Sequence, residues 1–246
     1  MKKLRFIYDI LWFFRVDRLL LLFCRGTLNI YWHGITTGKS TPRHINYQKI
    51  ERQIRYFKRH FNLLPLGENG PKSLILSFDD GYLNLYFNLI PLIEKYNLNV
   101  TIFVTTIGLT RAYKLGPNQD DTLIDEGWRL KTLSEYATIG AHGHTHMSFT
   151  WMPDDMLYDE LIKSKQLIEG IIGKKVDMFC FPFGDFTQQS ITDAKYSGYT
   201  KLYGCDSKHP EVTPRYGICT TTSYEGSILK MLWKFATSQH RTTRIS

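Results

Sequence analysis

The order of apolar and polar positions divides the chain into short buried runs separated by longer segments of helical periodicity. "SLILSF" (73–78) is a continuous apolar run of strand length, which predicts a strand buried on both faces. Strands are also predicted at "LNIYWHGI" (28–35, ending near His33), "NVTIFVTT" (99–106), "ATIGAH" (137–142), "DMFCF" (177–181) and "YTKLYG" (199–204), where β-branched and aromatic residues gather. Helices are predicted between them. In "INYQKIERQIRYFKRHF", Ile50, Ile54, Phe57 and Phe61 recur at helical spacing with charges between them. Leu83 to Tyr96 reads as helical, Leu157, Leu161, Ile168 and Ile171 share one face of a helix from Asp154 to Ile172, and another helix leads up to Gly198.

Strand, helix and strand within about 30 residues is the size of a βαβ unit. Its repetition predicts an α/β fold with a parallel sheet, open or closed into a barrel. In such folds the functional groups gather at the carboxyl ends of the strands.

A length of 246 residues and a hydrophobic content of 43% support a sizeable core in a single globular unit. The charge is placed unevenly. Residues 1–60 hold 13 Lys/Arg against Asp9, Asp17 and Glu51, a balance of +10, while the whole chain is +8, so residues 61–246 sum to −2. A basic patch facing something anionic fits this better than a nucleic-acid groove, for which no binding motif is present; a solvated helix face is the plainer account.

The start, "MKKLRFIYDILWFFRVDRLLLLFCRG", is broken by Asp9, Arg15, Asp17 and Arg18, and its longest apolar run, Leu19 to Cys24, is far short of the ~20 residues of a membrane span. It reads as one or two amphipathic helices that pack on the domain, or else lie on a bilayer surface. Residues 1–27 are therefore taken as a basic helical extension and 28–246 as a single domain. Cys24, Cys180, Cys205 and Cys219 contain no C-x-x-C pair, which points to buried free thiols in a reducing compartment rather than a disulfide framework or zinc knuckle.

Chemistry enters with "LILSFDDGYLN" (74–84), where a strand ends in two carboxylates, Asp79 and Asp80. Adjacent carboxylates raise each other's pKa unless a cation neutralises them, although an Asp-Gly turn explains Asp80-Gly81 without any function. "HGHTH" places three of the eight histidines within five residues at another strand end. His142 and His146, at i and i+4, can converge on one ion in a helical turn or tight loop. With Asp80 they make two imidazoles and a carboxylate, a set with open positions that suits Zn²⁺, or Fe, Co or Ni. Neighbouring side chains in an extended segment point apart, so one aspartate ligates and the other accepts a proton from water. In "FCFPFGDF" (179–186), Pro182 and Gly184 predict a rigid turn whose backbone N–H groups could stabilise an oxyanion, or simply a strand-ending turn.

"SFDDG", "HGHTH" and "FPFGD" occur in the order and rough spacing of the polysaccharide deacetylase family, the carbohydrate esterases with a NodB-homology domain, which the chain resembles over residues 28 to 218. "YWHGI" and "TPRYGI" look like that family's first and last core strands. The resemblance implies a distorted (β/α) barrel of about seven strands and metal-dependent removal of an N- or O-linked acyl group, usually acetyl, from a sugar. By position it makes Asp79 the base, Asp80, His142 and His146 the metal ligands, and the Phe183 N–H part of the oxyanion hole.

The chain also departs from the family. Cys180 stands where many members carry an arginine that orients the base, so another group must hold Asp79. Neither an Asp-x-Asp-Trp motif nor a late Leu-x-His segment is found, leaving His33, His144 and His209 as candidates to protonate the leaving amine. The expected partner is an acylated glycan or its lipid- or nucleotide-linked precursor, met in the cytoplasm with the basic N-terminus on an anionic inner leaflet. The alternative is a non-catalytic carbohydrate- or metal-binding protein on the same scaffold. Phosphoryl transfer is disfavoured, because neither a phosphate-cradling Gly-rich loop nor an Asp-x-Asp arrangement is present.

Overall fold

The structure is a computed structural model describing residues 2–205 and 207–242; Met1 of the expected extension and residues 206 and 243–246 of the expected catalytic domain lie outside the described residues. Among the described residues ten strands form: β1 (Thr27–Trp32), β2 (Gly34–Thr36), β3 (His44–Asn46), β4 (Asn62–Leu63), β5 (Ser73–Phe78), β6 (Val100–Val104), β7 (Thr138–Ala141), β8 (Met178–Cys180), β9 (Lys201–Cys205) and β10 (Val212–Gly217). Nine α-helices accompany them among the described residues: α1 (Lys2–Phe13), α2 (Val16–Leu21), α3 (Tyr47–His60), α4 (Leu83–Asn88), α5 (Ile90–Tyr96), α6 (Gly127–Tyr136), α7 (Asp154–Ile172), α8 (Gln188–Tyr196) and α9 (Tyr224–Thr242).

Seven parallel strands close on themselves in the order β1, β10, β9, β8, β7, β6, β5, because β1 pairs with both β10 and β5. The closure is uneven, which distorts the barrel. β1 keeps register with β5 from Thr27↔Ser73 to Trp32↔Phe78, whereas β7 meets β8 only at Ala141↔Phe179. β4 pairs with the start of β5, and β2 and β3 form a small separate sheet.

Strand alternation explains why "SLILSF" has no polar face. Leu74, Leu76 and Phe78 face the main core beneath the helices, while Ile75 faces the lumen with Phe103, Met178, Cys180 and Tyr203. All six residues of β5 are buried.

The predicted strands are present with ends shifted by a few residues, and His33 falls in the break between β1 and β2. The helix expected over 83–96 is two helices, because Pro91, in the first turn of α5, has no N–H to continue the ladder of α4. Helices α6 and α9 were not among the expected elements. The four cysteines are free, but only Cys24 and Cys180 are buried; Cys205 and Cys219 are half-buried, which corrects the expectation for those two.

Candidate active site

The carboxyl ends of β1, β5, β7 and β8 open into a pocket of about 430 Å³, lined by Asp79, Asp80, His142, His146, Phe183 and His33 among others. Asp79 still belongs to the barrel ladder, with its N–H donating to the Trp32 carbonyl at 2.9 Å. At Asp80 the chain leaves the strand with φ 71, followed by Gly81 at φ 74. The two aspartates therefore do not diverge as neighbours in an extended strand would, and both line the one pocket. Their partners separate them instead.

Asp79 is held by Arg215 of β10. The guanidinium donates to both carboxylate oxygens at 2.8 Å and also contacts Ser77 Oγ at 3.0 Å and Cys180 Sγ at 2.6 Å. Burial pushes the Asp79 carboxyl up, but Arg215 more than offsets it, so its pKa lies below the ordinary value. Arg215 comes from across the lumen to the space beside Cys180. The short Cys180 side chain leaves room for it.

Asp80 faces two imidazoles, with Nε2 of His146 3.0 Å and Nε2 of His142 3.5 Å from Oδ1. That oxygen is buried, yet neither approach has hydrogen-bond alignment. Burial would raise the Asp80 pKa, and the neighbouring imidazoles bring it well below the ordinary value. His142 Nδ1 sits 2.7 Å from the Cys180 carbonyl, an acceptor, so Nδ1 carries the proton and the Nε2 lone pair is left for a ligand.

Ligand atoms of Asp80, His142 and His146 lie within 4.8 Å of one another, and so do those of Asp79, His142 and Cys180. Arg215 occupies Asp79 and Cys180 in the second set. The first fits a divalent cation: an oxygen without a hydrogen-bond partner and two imidazole nitrogens point at a common space.

The "HGHTH" segment is a tight loop, not a helical turn, with Gly143 at φ 80 and His146 at φ 63. It is fastened from two sides. Glu160 of α7 accepts from the Thr145 N–H at 2.6 Å, and the Thr106 and Ile107 N–H groups donate to the carbonyls of Gly143 and His144. A Cβ on Gly143 would come within 2.9 Å of Glu160 Oε1, so glycine is needed there for both space and φ.

Phe183 has φ 61 and ψ −2 in a short 3₁₀ turn, with its ring 4.8 Å from that of His146. The Gly184 and Asp185 N–H groups bond the carbonyls of Phe181 and Pro182, and among the described residues no carbonyl accepts from the Phe183 N–H. Asp80, His146 and Phe183 are three of the six non-glycine residues with positive φ among the described residues, so backbone strain gathers at this pocket.

Of the three histidines considered for the leaving amine, only His33 lines the pocket. His144 Nδ1 is 2.9 Å from Thr106 Oγ1, and His209 lies beside Gln188 and Glu211. Sequence reasoning missed Arg215, which holds Asp79 from behind the pocket wall, and Arg43, which lines the pocket. The first stood within the quoted "TPRYGI", but an isolated arginine in a strand carries no local signal of its partner.

Comparison with known proteins agrees in family and fold. Residues 66–202 match the family described as polysaccharide deacetylase. A peptidoglycan-N-acetylmuramic acid deacetylase, PdaA of Bacillus subtilis, is 26% identical over 165 residues, covering 65% of this chain and 58% of PdaA. The putative polysaccharide deacetylase YxkH of the same organism is 22% identical over 128 residues, 52% of this chain and 43% of YxkH. The chain thus spans about half the length of these curated relatives. In fold it resembles the Streptococcus pyogenes deacetylase PplD, solved with acetate (TM-score 0.68, 17% identity, 84% of this chain and 98% of that one). It likewise resembles a de-N-acetylase from Aggregatibacter actinomycetemcomitans (TM-score 0.69, 20% identity, 84% and 99%).

Proposed function

Because the chain belongs to the polysaccharide deacetylase family, we propose that it hydrolyses the acetyl amide of an N-acetylated sugar in a cell-surface glycan or its lipid- or nucleotide-linked precursor. The observation that carries this reading is the pairing, in one pocket, of a carboxylate held ionised by Arg215 with a separate Asp80, His142 and His146 set that fits a cation.

In the proposed reaction water adds to the acetyl carbonyl carbon, the C–N bond breaks, and acetate and a sugar amine leave. A divalent cation held by Asp80, His142 and His146 would supply Lewis acidity and lower the pKa of a water in the site. Asp79 takes the proton of the attacking water. Arg215 fills one lone-pair direction on each of its oxygens, and a carboxylate has about four, so a site for that proton remains. The Phe183 N–H donates to the oxygen that becomes negative as the carbonyl carbon turns tetrahedral. His33 is the candidate to give the leaving nitrogen its proton.

The alternative of a non-catalytic binder rested on the missing third-motif arginine, the missing fourth motif and the missing late histidine; Arg215 meets the first of these needs from another strand, and His33 is the candidate for the last. Acetate release from a panel of N-acetylglucosamine oligomers and N-acetylmuramic-acid-containing glycans, with and without added Zn²⁺, tests the proposal. Tight glycan binding with no acetate released under any metal would overturn it.

A further inference from the structure

Helix α1 carries apolar side chains on two opposite faces. One face packs on the domain: the Trp12 ring lies 5.8 Å from Tyr56 and 5.6 Å from Tyr224, and Tyr8 lies against Gly226, where a Cβ would come within 2.5 Å of its ring. On the other face Phe6, Ile7, Ile10, Phe13 and Phe14, spaced as helical neighbours, are exposed. α2 and the turn after it repeat the arrangement, with Asp17, Leu21 and Cys24 buried and Leu19, Leu22 and Phe23 exposed. The outer face of a surface helix is ordinarily polar. Of the eighteen large hydrophobic side chains exposed among the described residues, eight lie between positions 6 and 23, so they form a patch rather than a scatter.

Beside this patch is a cleft of about 410 Å³ with five arginines in its wall: Arg15 and Arg18 at α2, and Arg52, Arg55 and Arg59 along one face of α3. Two are neutralised, Arg15 by Asp17 at 3.3 Å and Arg52 by Glu225 at 3.4 Å. Among the described residues Arg18, Arg55 and Arg59 make no ion pair. Trp12, from the packed face of α1, and Tyr224 also line the cleft, and in the chain Arg15 directly follows the exposed Phe14 and Arg18 directly precedes the exposed Leu19.

An apolar ridge beside a basic cleft is complementary to one kind of surface, an anionic bilayer, whose acyl boundary accepts Phe, Ile and Leu and whose phosphates accept Arg. Nucleic acid would use the charge but not the ridge. At about 1.5 Å per residue, α1 spans about 18 Å against the ~30 Å of a hydrocarbon core, and no described helix is long and apolar enough to cross a membrane. A helix of this length can lie along a bilayer surface but cannot cross it.

We propose that α1 and α2 dock this protein on anionic lipid bilayers, with the outer apolar side chains entering the acyl boundary and the arginine cleft taking lipid phosphates. The inference is independent of the deacetylase reading, and acetate release from a soluble substrate reports on that reading separately.

Co-sedimentation of the full chain with vesicles tests it. Vesicles of phosphatidylcholine mixed with phosphatidylglycerol should carry the protein down, and pure phosphatidylcholine far less, with added salt weakening the association. Removing the charge of one cleft arginine, as in Arg55→Gln or Arg59→Gln, should cost about fivefold in apparent affinity. The F13S/F14S double variant should lose tenfold or more, on the order expected for two inserted aromatic rings. Phe13 and Phe14 are 79% and 72% exposed, so that variant should keep its unfolding temperature. Three results would overturn the proposal: no sedimentation of the parent with mixed vesicles, equal binding by F13S/F14S, or a parent dimer in light scattering that becomes monomeric in F13S/F14S and ignores vesicles.

Discussion

Arg215 reaches Asp79 from 136 positions further along the chain and grips both of its carboxylate oxygens at 2.8 Å. The guanidinium lies over the rings of Tyr31 and Phe103, 4.6 and 4.9 Å from their centroids, so it is fully desolvated as well as paired. A buried pair of this kind adds little to net stability, but it fixes the orientation and charge of the group it holds.

Removing the arginine outright would leave Asp79 a buried unpaired charge and cost stability as well as turnover, so the informative replacement is one that keeps the charge. Arg215→Lys keeps a charge but loses the two-pronged geometry, and acetate release should fall about 10–100-fold. Arg215 holds the Asp79 pKa low against burial, so without a full partner that pKa rises and the acid limb of the pH–rate profile moves to higher pH. An unchanged limb would remove Arg215 from the mechanism. In the double swap C180R/R215C the charge returns from the other wall of the lumen, and part of the lost rate should return with it.

Base and ligand roles separate by metal content. Asp79→Asn should lower acetate release by about 10²–10⁴-fold with bound metal unchanged by elemental analysis. Asp80→Asn and His146→Ala should lose the metal itself. Burial disfavours a charged His142, but Cys180 and Asp80 beside it outweigh burial and hold its pKa well above the ordinary value. Protons therefore compete for this ligand, and calorimetric metal affinity should fall as pH is lowered.

Glu160 acts on the site only through the loop it holds. Glu160→Ala leaves the Thr145 N–H without its acceptor, which should cost about 1–3 kcal/mol in denaturant unfolding and about tenfold in metal affinity. Glu160→Gln retains an acceptor oxygen and should recover most of both. Loss of stability with metal affinity intact would make Glu160 structural alone.

Another buried carboxylate, Asp121, gives the fold a dependence on pH. It lies 2.8 Å from His44 Nε2 and accepts from the Asn118 N–H at 2.9 Å. Burial raises its pKa, and these partners bring it below the ordinary value. An acid depressed in the folded state contributes stability above its unfolded pKa of ~3.9 and loses it as pH falls through the folded pKa. Asp121→Asn should cost about 1–3 kcal/mol at neutral pH, and the gap from the parent should narrow below about pH 4. A gap that stays constant down to pH 2 would contradict this account.

Much of the fold is legible because strand burial leaves a local signature. Unbroken apolar runs such as Leu74–Leu76 mark strands covered on both faces, and the Asp79-Asp80 and His142/His146 motifs stand at the ends of such strands. Helix α6 was missed because its amphipathic signal is weak: beyond Leu130 and Leu133 its buried face includes Ser134. The reason first given for separating the aspartates, opposite directions along an extended strand, fails because Asp80 has a left-handed backbone that sequence alone does not reveal. That conformation is imposed by surroundings such as the Thr105 N–H, which bonds the Asp80 carbonyl at 3.1 Å.

By itself, then, the sequence determined the strand-and-helix alternation and the residues standing at the strand ends, since burial and local spacing depend on near neighbours in the chain. Tertiary structure alone decided which strands meet to close the barrel, that Arg215 takes the place left open at Cys180, and that His33 rather than His144 or His209 lines the pocket. The physical reason is closure: pairing β1 with both β5 and β10 puts side chains far apart in sequence around one lumen, a proximity set by which strands meet rather than by any local pattern.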